Sequence, residues 1–134
     1  MGFSLARSGN TAYRGYLRSG AWFRRRRAWF TAVKDSGREA VCQVCGTTQR
    51  LDLHHMNYDG VSQTPTGAWV SGEADEDLMP LCRTHHEQLH EELDRRRRDF
   101  WGRDRRRATA MIVVGLRKRR QRQSTPGPRR RGRR

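Results

Sequence analysis

Leu51-Asp52-Leu53-His54-His55 and Asp77-Leu78-Met79-Pro80-Leu81-Cys82-Arg83-Thr84-His85-His86-Glu87-Gln88-Leu89-His90 together hold all five histidines of the chain. The first segment alternates Leu51 and Leu53 with polar residues, the pattern of a short strand, so His54 and His55 should point to opposite faces unless the strand ends there. The second segment opens as a return strand over residues 78–81, where Pro80 marks an edge or a strand end. Thr84-His85-His86-Glu87 then has the form of a capping box, which predicts a helix starting at Thr84 with Leu89 and Leu93 on one face. His86 and His90 are four apart on that helix and share a face.

Immediately upstream, Val41-Cys42-Gln43-Val44-Cys45-Gly46 reads as a knuckle, a tight turn presenting two thiolates to one ion. Cys42-x-x-Cys45 and Cys82-x-x-His85 are two pairs with zinc-ligand spacing, and they use all three cysteines of the chain. Such a site is closed and therefore structural, clamping a hairpin to the helix that follows it. A chain of 134 residues with 34% hydrophobic content has a small core, which a metal clip would support.

A second set follows from the remaining histidines. His86 and His90 from the helix, with His54 from the strand, make a three-imidazole site with positions open to water and a phosphate oxygen, as a catalytic metal requires. His55 cannot share the direction of His54 and is left to act as a base on water, work suited to an imidazole. Imidazole ligation favours a transition metal on ligand hardness; the ions to consider are Mg2+, Mn2+, Ni2+ and Zn2+.

Net charge is +15 with a pI near 11.5, and Lys34 and Lys118 are the only lysines. Arginine's planar fork suits bidentate phosphate contacts, so nucleic acid is the first partner to expect, ahead of an anionic membrane surface. Arg24, Arg25, Arg26 and Arg27 lie between Trp22, Phe23, Trp29, Phe30 and Val33, which recur at helical spacing after a candidate N-cap at Ser19. These four arginines, with Arg95, Arg96, Arg97 and Arg98 further on, are the candidate backbone contacts. The aromatics are expected to be core.

The rest of the chain sets the boundaries. Residues 1–12 read as a flexible N-terminus, 13–116 as one α+β domain with its centre at 41–93, and 117–134 as a disordered Arg-rich tail. Asp35-Ser36-Gly37 should end the first long helix. Residues 56–72 form a long turn-rich loop in which Trp69-Val70 adds a few strand-like residues, and a loop this long is expected to be functional. The helix after Thr84 is expected to run through Arg98 toward Phe100 and Trp101, whereas residues 108–116 are compatible with helix or strand. No apolar run has the length of a signal peptide or a membrane span, and the Cys-x-x-Cys pair suits a reducing compartment, so a cytoplasmic location and no membrane partner are expected.

On these residues, positions 42–90 resemble the HNH endonuclease family, whose fold is the ββα-metal finger, a treble-clef-like arrangement. Leu53-His54-His55 is similar to the first signature of the family, and Asp77-Leu78-Met79-Pro80-Leu81-Cys82-x-x-His85-His86 to the second. Tyr16-Leu17-x-Ser19-x-x-Trp22 resembles the lead-in helix of phage and bacterial members, in which Tyr58 and Glu73 also have counterparts. Position 85 is usually cysteine in the family, and Asp77 stands where asparagine is common. The resemblance covers roughly residues 13–93. It implies hydrolysis of DNA phosphodiester bonds with one divalent metal, His55 as general base, and products with 5′ phosphate and 3′ hydroxyl ends. Asp77 would hold the His55 loop or contribute charge near the metal. The competing readings are a non-catalytic zinc-finger DNA-binding module and an accessory subunit working with other DNA-processing proteins, such as phage packaging machinery.

Overall fold

A computed structural model describes residues 3–4, 10–99 and 104–124. Among the described residues the chain is α+β, with four helices and two small antiparallel sheets. The central hairpin pairs β2 (Leu51–His55) with β5 (Leu78–Cys82), with Leu53 opposite Pro80 and His54 opposite Met79. Both strands lie where the alternation predicted them. Pro80 is tolerated because a two-stranded sheet has only edges, and its carbonyl accepts from the Gln43 N–H at 3.0 Å.

Side-chain alternation gives the hairpin two different faces. On one, Leu53 and Leu78 join Tyr16, Trp22, Trp29 and Val61 in a buried cluster. This face is covered by α1 (Asn10–Leu17) and α2 (Gly20–Asp35). Ser19 caps α2 as expected, its hydroxyl accepting from the Trp22 N–H at 3.2 Å, and Gly37 ends it at φ 79°. The aromatic stripe of α2 is core at Trp22 and Trp29, while Phe23 faces solvent. α1 begins at Asn10, inside the stretch expected to be flexible, and its Tyr16 is fully buried.

On the other face, α3 (Arg83–Arg95) and α4 (Arg105–Ser124) close the second cluster, where Leu81 and Leu89 meet Ala108, Ile112, Val113 and Leu116. The first residue of α3 is Arg83, with Cys82 as N-cap, so Thr84 is not the cap. The Arg83 N–H is taken by the Arg50 carbonyl, which locks the start of the helix to the base of β2 and overrides the capping-box signal. α3 ends at Arg95 and does not reach Phe100 or Trp101, which lie outside the described residues.

Residues 108–116, compatible with either element on sequence, are helical because Ala108, Thr109, Ile112, Val113 and Leu116 form one buried stripe at helical spacing. The helix continues to Ser124, so residues 117–124, expected in the disordered tail, are helical. Propagation from a docked helix costs little, and Arg117 is tied to the Gln43 carbonyl. Residues 125–134 lie outside the described residues.

Between the strands of the hairpin, the long loop forms a sheet of β3 (Val61–Gln63) and β4 (Trp69–Ser71), with β1 (Phe3–Ser4) pairing on β3. The loop crosses itself at Gly60 and Gly72, where a Cβ on Gly60 would lie 2.1 Å from the Gly72 carbonyl oxygen. This close approach delivers Glu73 to the hairpin. Among the described residues no helix is long and apolar enough to cross a membrane.

Candidate metal centres

Cys42, Cys45, Cys82 and His85 bring four ligand atoms within 4.8 Å of one another. The knuckle turns tightly because the Gly46 N–H bonds to the Cys42 carbonyl at 2.8 Å and Gly46 adopts φ 76°. Sγ of Cys45 and Cys82 are 3.9 Å apart, and Sγ of Cys82 is 3.2 Å from Nδ1 of His85. Two thiolates on one tetrahedral zinc lie about 3.8 Å apart, given zinc–sulfur bonds of about 2.3 Å. The spacing and the donor set both fit a structural ion. Burial, with the neighbouring thiols behind it, pushes the Cys82 thiol up to about 11 even though the His85 N–H opposes the shift, so a cation is needed to draw out the Cys82 thiolate.

His54, His86 and His90 form the second group, again with ligand atoms within 4.8 Å. Adjacent on the helix, His85 turns to the cysteines and His86 to His90. Nε2 of His86 and Nε2 of His90 are 3.1 Å apart, close to the separation of two nitrogens each about 2.0–2.1 Å from one ion. Nδ1 of His86 is 3.1 Å from Oδ2 of Asp52, the carboxylate–imidazole pairing that orients metal-binding histidines. Nε2 of His54 is 3.2 Å from Oγ1 of Thr109. Nδ1 of His54 is buried and has no hydrogen-bond partner. A buried ring nitrogen without a protein partner, on a ring whose centroid lies 5.4 Å from that of His86 and 5.3 Å from that of His90, fits a metal ligand. Burial first, then the charge of Arg105, holds His54 well below the usual histidine range. Burial and then the neighbouring His86 push His90 down to about 4. Both are neutral near pH 7, the form that binds metal.

His55 lies on the opposite face, as the alternation predicted, and is fully buried among Tyr16, Trp22 and Tyr58. Its Nε2 is 2.7 Å from Oε2 of Glu73, and its Nδ1 is 3.3 Å from the Tyr13 hydroxyl. Burial pushes Glu73 up, but the hydrogen bonds from His55 and Tyr16 outweigh it and hold the carboxyl below its usual range. An ionised carboxylate only accepts, so Nε2 of His55 carries the proton and Nδ1 is the basic nitrogen. Burial lowers His55 from its ordinary value more than Glu73 raises it.

Asp77 pairs with Arg106, and its carbonyl accepts from the Met56 N–H at 2.7 Å, fixing the chain just after His55. Of the candidate nucleic-acid arginines, Arg25 and Arg26 are engaged in the fold. Arg25 bonds the Glu73 carbonyl at 2.8 Å and Asp75 at 2.6 Å, and Arg26 bonds the Leu51 carbonyl at 2.8 Å. Arg24 and Arg27 are exposed on α2. Beyond them, Arg95 is bound to Glu92 and Arg96 to Asp99, while Arg97 and Arg98 are exposed.

Five residues of the two histidine clusters had no assigned role in the sequence reading: Tyr13, Asp52, Glu73, Arg105 and Thr109. Asp52 was within reach of it, being on the same strand face as His54. Glu73 appeared only through the resemblance. Arg105 and Thr109 reach the site from α4, and no spacing rule connects that helix to a strand so far back in the chain. Comparison with protein-family models, curated proteins and solved structures returns no match to this chain.

Proposed function

We propose that this protein is a metal-dependent endonuclease of the HNH type that hydrolyses DNA phosphodiester bonds. The observation that carries the reading is the convergence of His54, His86 and His90 around a buried, unpartnered Nδ1, with Asp52 and Thr109 fixing two of the rings from behind. The hairpin running into α3, with Cys42, Cys45, Cys82 and His85 gathered as a set that could hold zinc, supports assignment to the ββα-metal class. A divalent ion on the three histidines would supply charge stabilisation to the phosphate and the departing 3′ oxygen.

The chain's own residues do the rest. Asp52 holds His86 with Nε2 toward His90, and Thr109 engages Nε2 of His54, leaving its Nδ1 for a metal. Glu73 keeps the proton of His55 on Nε2, leaving Nδ1 to accept a proton. The Tyr13 hydroxyl already faces Nδ1, and the proton of the attacking water reaches it there, the hydroxyl giving its own proton to Nδ1 as it takes one from water. Asp77 and Arg106 brace the turn after His55. The excess of arginine provides the attraction to the phosphate backbone.

Incubation with supercoiled plasmid and Mg2+, Mn2+, Ni2+ or Zn2+, with and without chelator, tests this directly. Nicked or linear product with 5′ phosphate and 3′ hydroxyl ends is expected only where divalent metal is present. One observation favours a second reading, a metal-clipped DNA-binding module without catalysis: His55 is fully buried with both ring nitrogens engaged. That reading is upheld if the protein shifts DNA in a gel and cuts it with none of the four metals.

A further inference from the structure

Arg105 stands beside the histidine site, and among the described residues it has no acidic partner. Its Nε donates to the His55 carbonyl at 3.1 Å and its Nη2 to the Tyr58 hydroxyl at 3.1 Å, with the guanidinium 5.1 Å from the centre of the Tyr58 ring. These two bonds use two of the five N–H donors of a guanidinium and fix its plane. Among the described residues no carboxylate pairs with it. Asp52 is engaged by His86 and Arg83, and Asp77 by Arg106. The side chain is half-buried, and its charge is felt by His54, His55 and His90.

A cation here opposes the binding of a metal ion to the three imidazoles next to it. A fold that needed only a clamp between β2 and Tyr58 could use a neutral donor. With a divalent ion on three neutral histidines, the pocket would hold a large uncompensated positive charge, and an anion shared by both is what balances it. A phosphodiester carries one negative charge and gains a second as water, giving up its proton toward His55, adds to phosphorus, so a guanidinium at this position stabilises the transition state more than the bound substrate.

We infer that Arg105 contacts a non-bridging oxygen of the scissile phosphate, supplied to the site by α4 and mounted on Tyr58 and the His55 carbonyl. The inference rests on the phosphodiesterase reading above. It assigns α4, which lies beyond the stretch that carries the HNH resemblance, a part in catalysis as well as in packing.

Arg105→Gln and Arg105→Lys test it, with the zinc-clipped protein titrated with Mn2+ and assayed on plasmid DNA. In Arg105→Gln the turnover rate should fall about 100-fold, the usual cost of removing one donor to a developing anion. Affinity for Mn2+ at the histidine site should stay level or rise, because a repelling charge has gone. A purely structural clamp would lower affinity and rate together. Arg105→Lys, which keeps the charge, should retain at least ten times the rate of Arg105→Gln. If Arg105→Gln fails to fold, Arg105→Lys carries the test alone: its rate should fall while its affinity for Mn2+ stays level, because the charge is kept and the planar fork is lost. An unimpaired rate in Arg105→Gln or, where only Arg105→Lys folds, in Arg105→Lys, or a joint loss of Mn2+ affinity and rate, would overturn the assignment while leaving the nuclease reading intact. Wild-type protein that never cuts DNA would overturn both.

Discussion

Replacing Asp52 with asparagine isolates the support of the histidine site from the site itself. Oδ2 of Asp52 is 3.1 Å from Nδ1 of His86, and Oδ1 is 3.7 Å from Arg83, whose side chain is 71% exposed. The exposed pair contributes little, about 0–1 kcal/mol, so the measurable loss falls on His86. Asparagine keeps the shape and can still accept from Nδ1–H, but its bond is neutral and roughly half as strong as a charge-assisted one. Loss of such an orienting partner costs about 10–100-fold in metal affinity, or about 1.4–2.7 kcal/mol. The assay is competition between the protein and a chromophoric chelator for Mn2+ or Co2+, with zinc already loaded on the cysteine set. Only the histidine site should weaken, and Arg83→Ala should change its affinity less than about twofold. Unchanged affinity in Asp52→Asn, or equal weakening of both sites, would refute the reasoning that Asp52 orients a metal ligand.

Cys82→Ser should remove one zinc ligand and the integrity of the hairpin–α3 junction with it, abolishing a cooperative melt at physiological temperature; a native-like transition with full zinc content would rule out the clip. Gly60→Ala must push the Gly72–Glu73 backbone away, since its Cβ would sit 2.1 Å from the Gly72 oxygen, and should cost roughly 1–3 kcal/mol in urea unfolding. It should also lower cleavage, because Glu73 moves from His55. Protein with zinc on its cysteine set and no metal on its histidines should lose stability in acid. Folding keeps His54 and His90 neutral, His90 down to about 4, while the unfolded chain protonates near 6.5. The unfolded state therefore binds more protons between these values, so stability is complete above about 6.5 and falls toward pH 4. Denaturation at a series of pH values would show this slope, and a flat profile would mean that the histidines are not buried neutral.

The parts of the molecule legible in the sequence are those whose signals are local. Strand alternation placed His54 and His55 on opposite faces, the i,i+4 spacing paired His86 with His90, and the two Cys/His pairs fell together. Ser19 and Gly37 bounded α2 for the same reason. The failures are tertiary. Thr84 has every feature of an N-cap, yet the bond between Arg83 N–H and Arg50 carbonyl sets the helix start earlier. β3 was hidden in a polar loop because its partner strand, not its composition, makes it a strand. α4 could not be told from a strand without the core surface it docks on, and its two contributions to the histidine site were invisible for the same reason. Charge counting favoured Arg25 and Arg26 as phosphate contacts, but backbone carbonyls of the same domain have claimed both.

The most direct measurement follows DNA cleavage against occupancy of the histidine site. Protein carrying zinc on its cysteine set alone is titrated with Mn2+, bound metal is counted at each step, and nicking of supercoiled plasmid is timed on the same samples. Cleavage should be absent at the start, rise in proportion to one added ion per chain, and be lost in His90→Ala together with that ion. Cleavage by protein whose histidine site is empty, or a filled site that cuts nothing, would contradict the central claim that His54, His86 and His90 hold a catalytic metal.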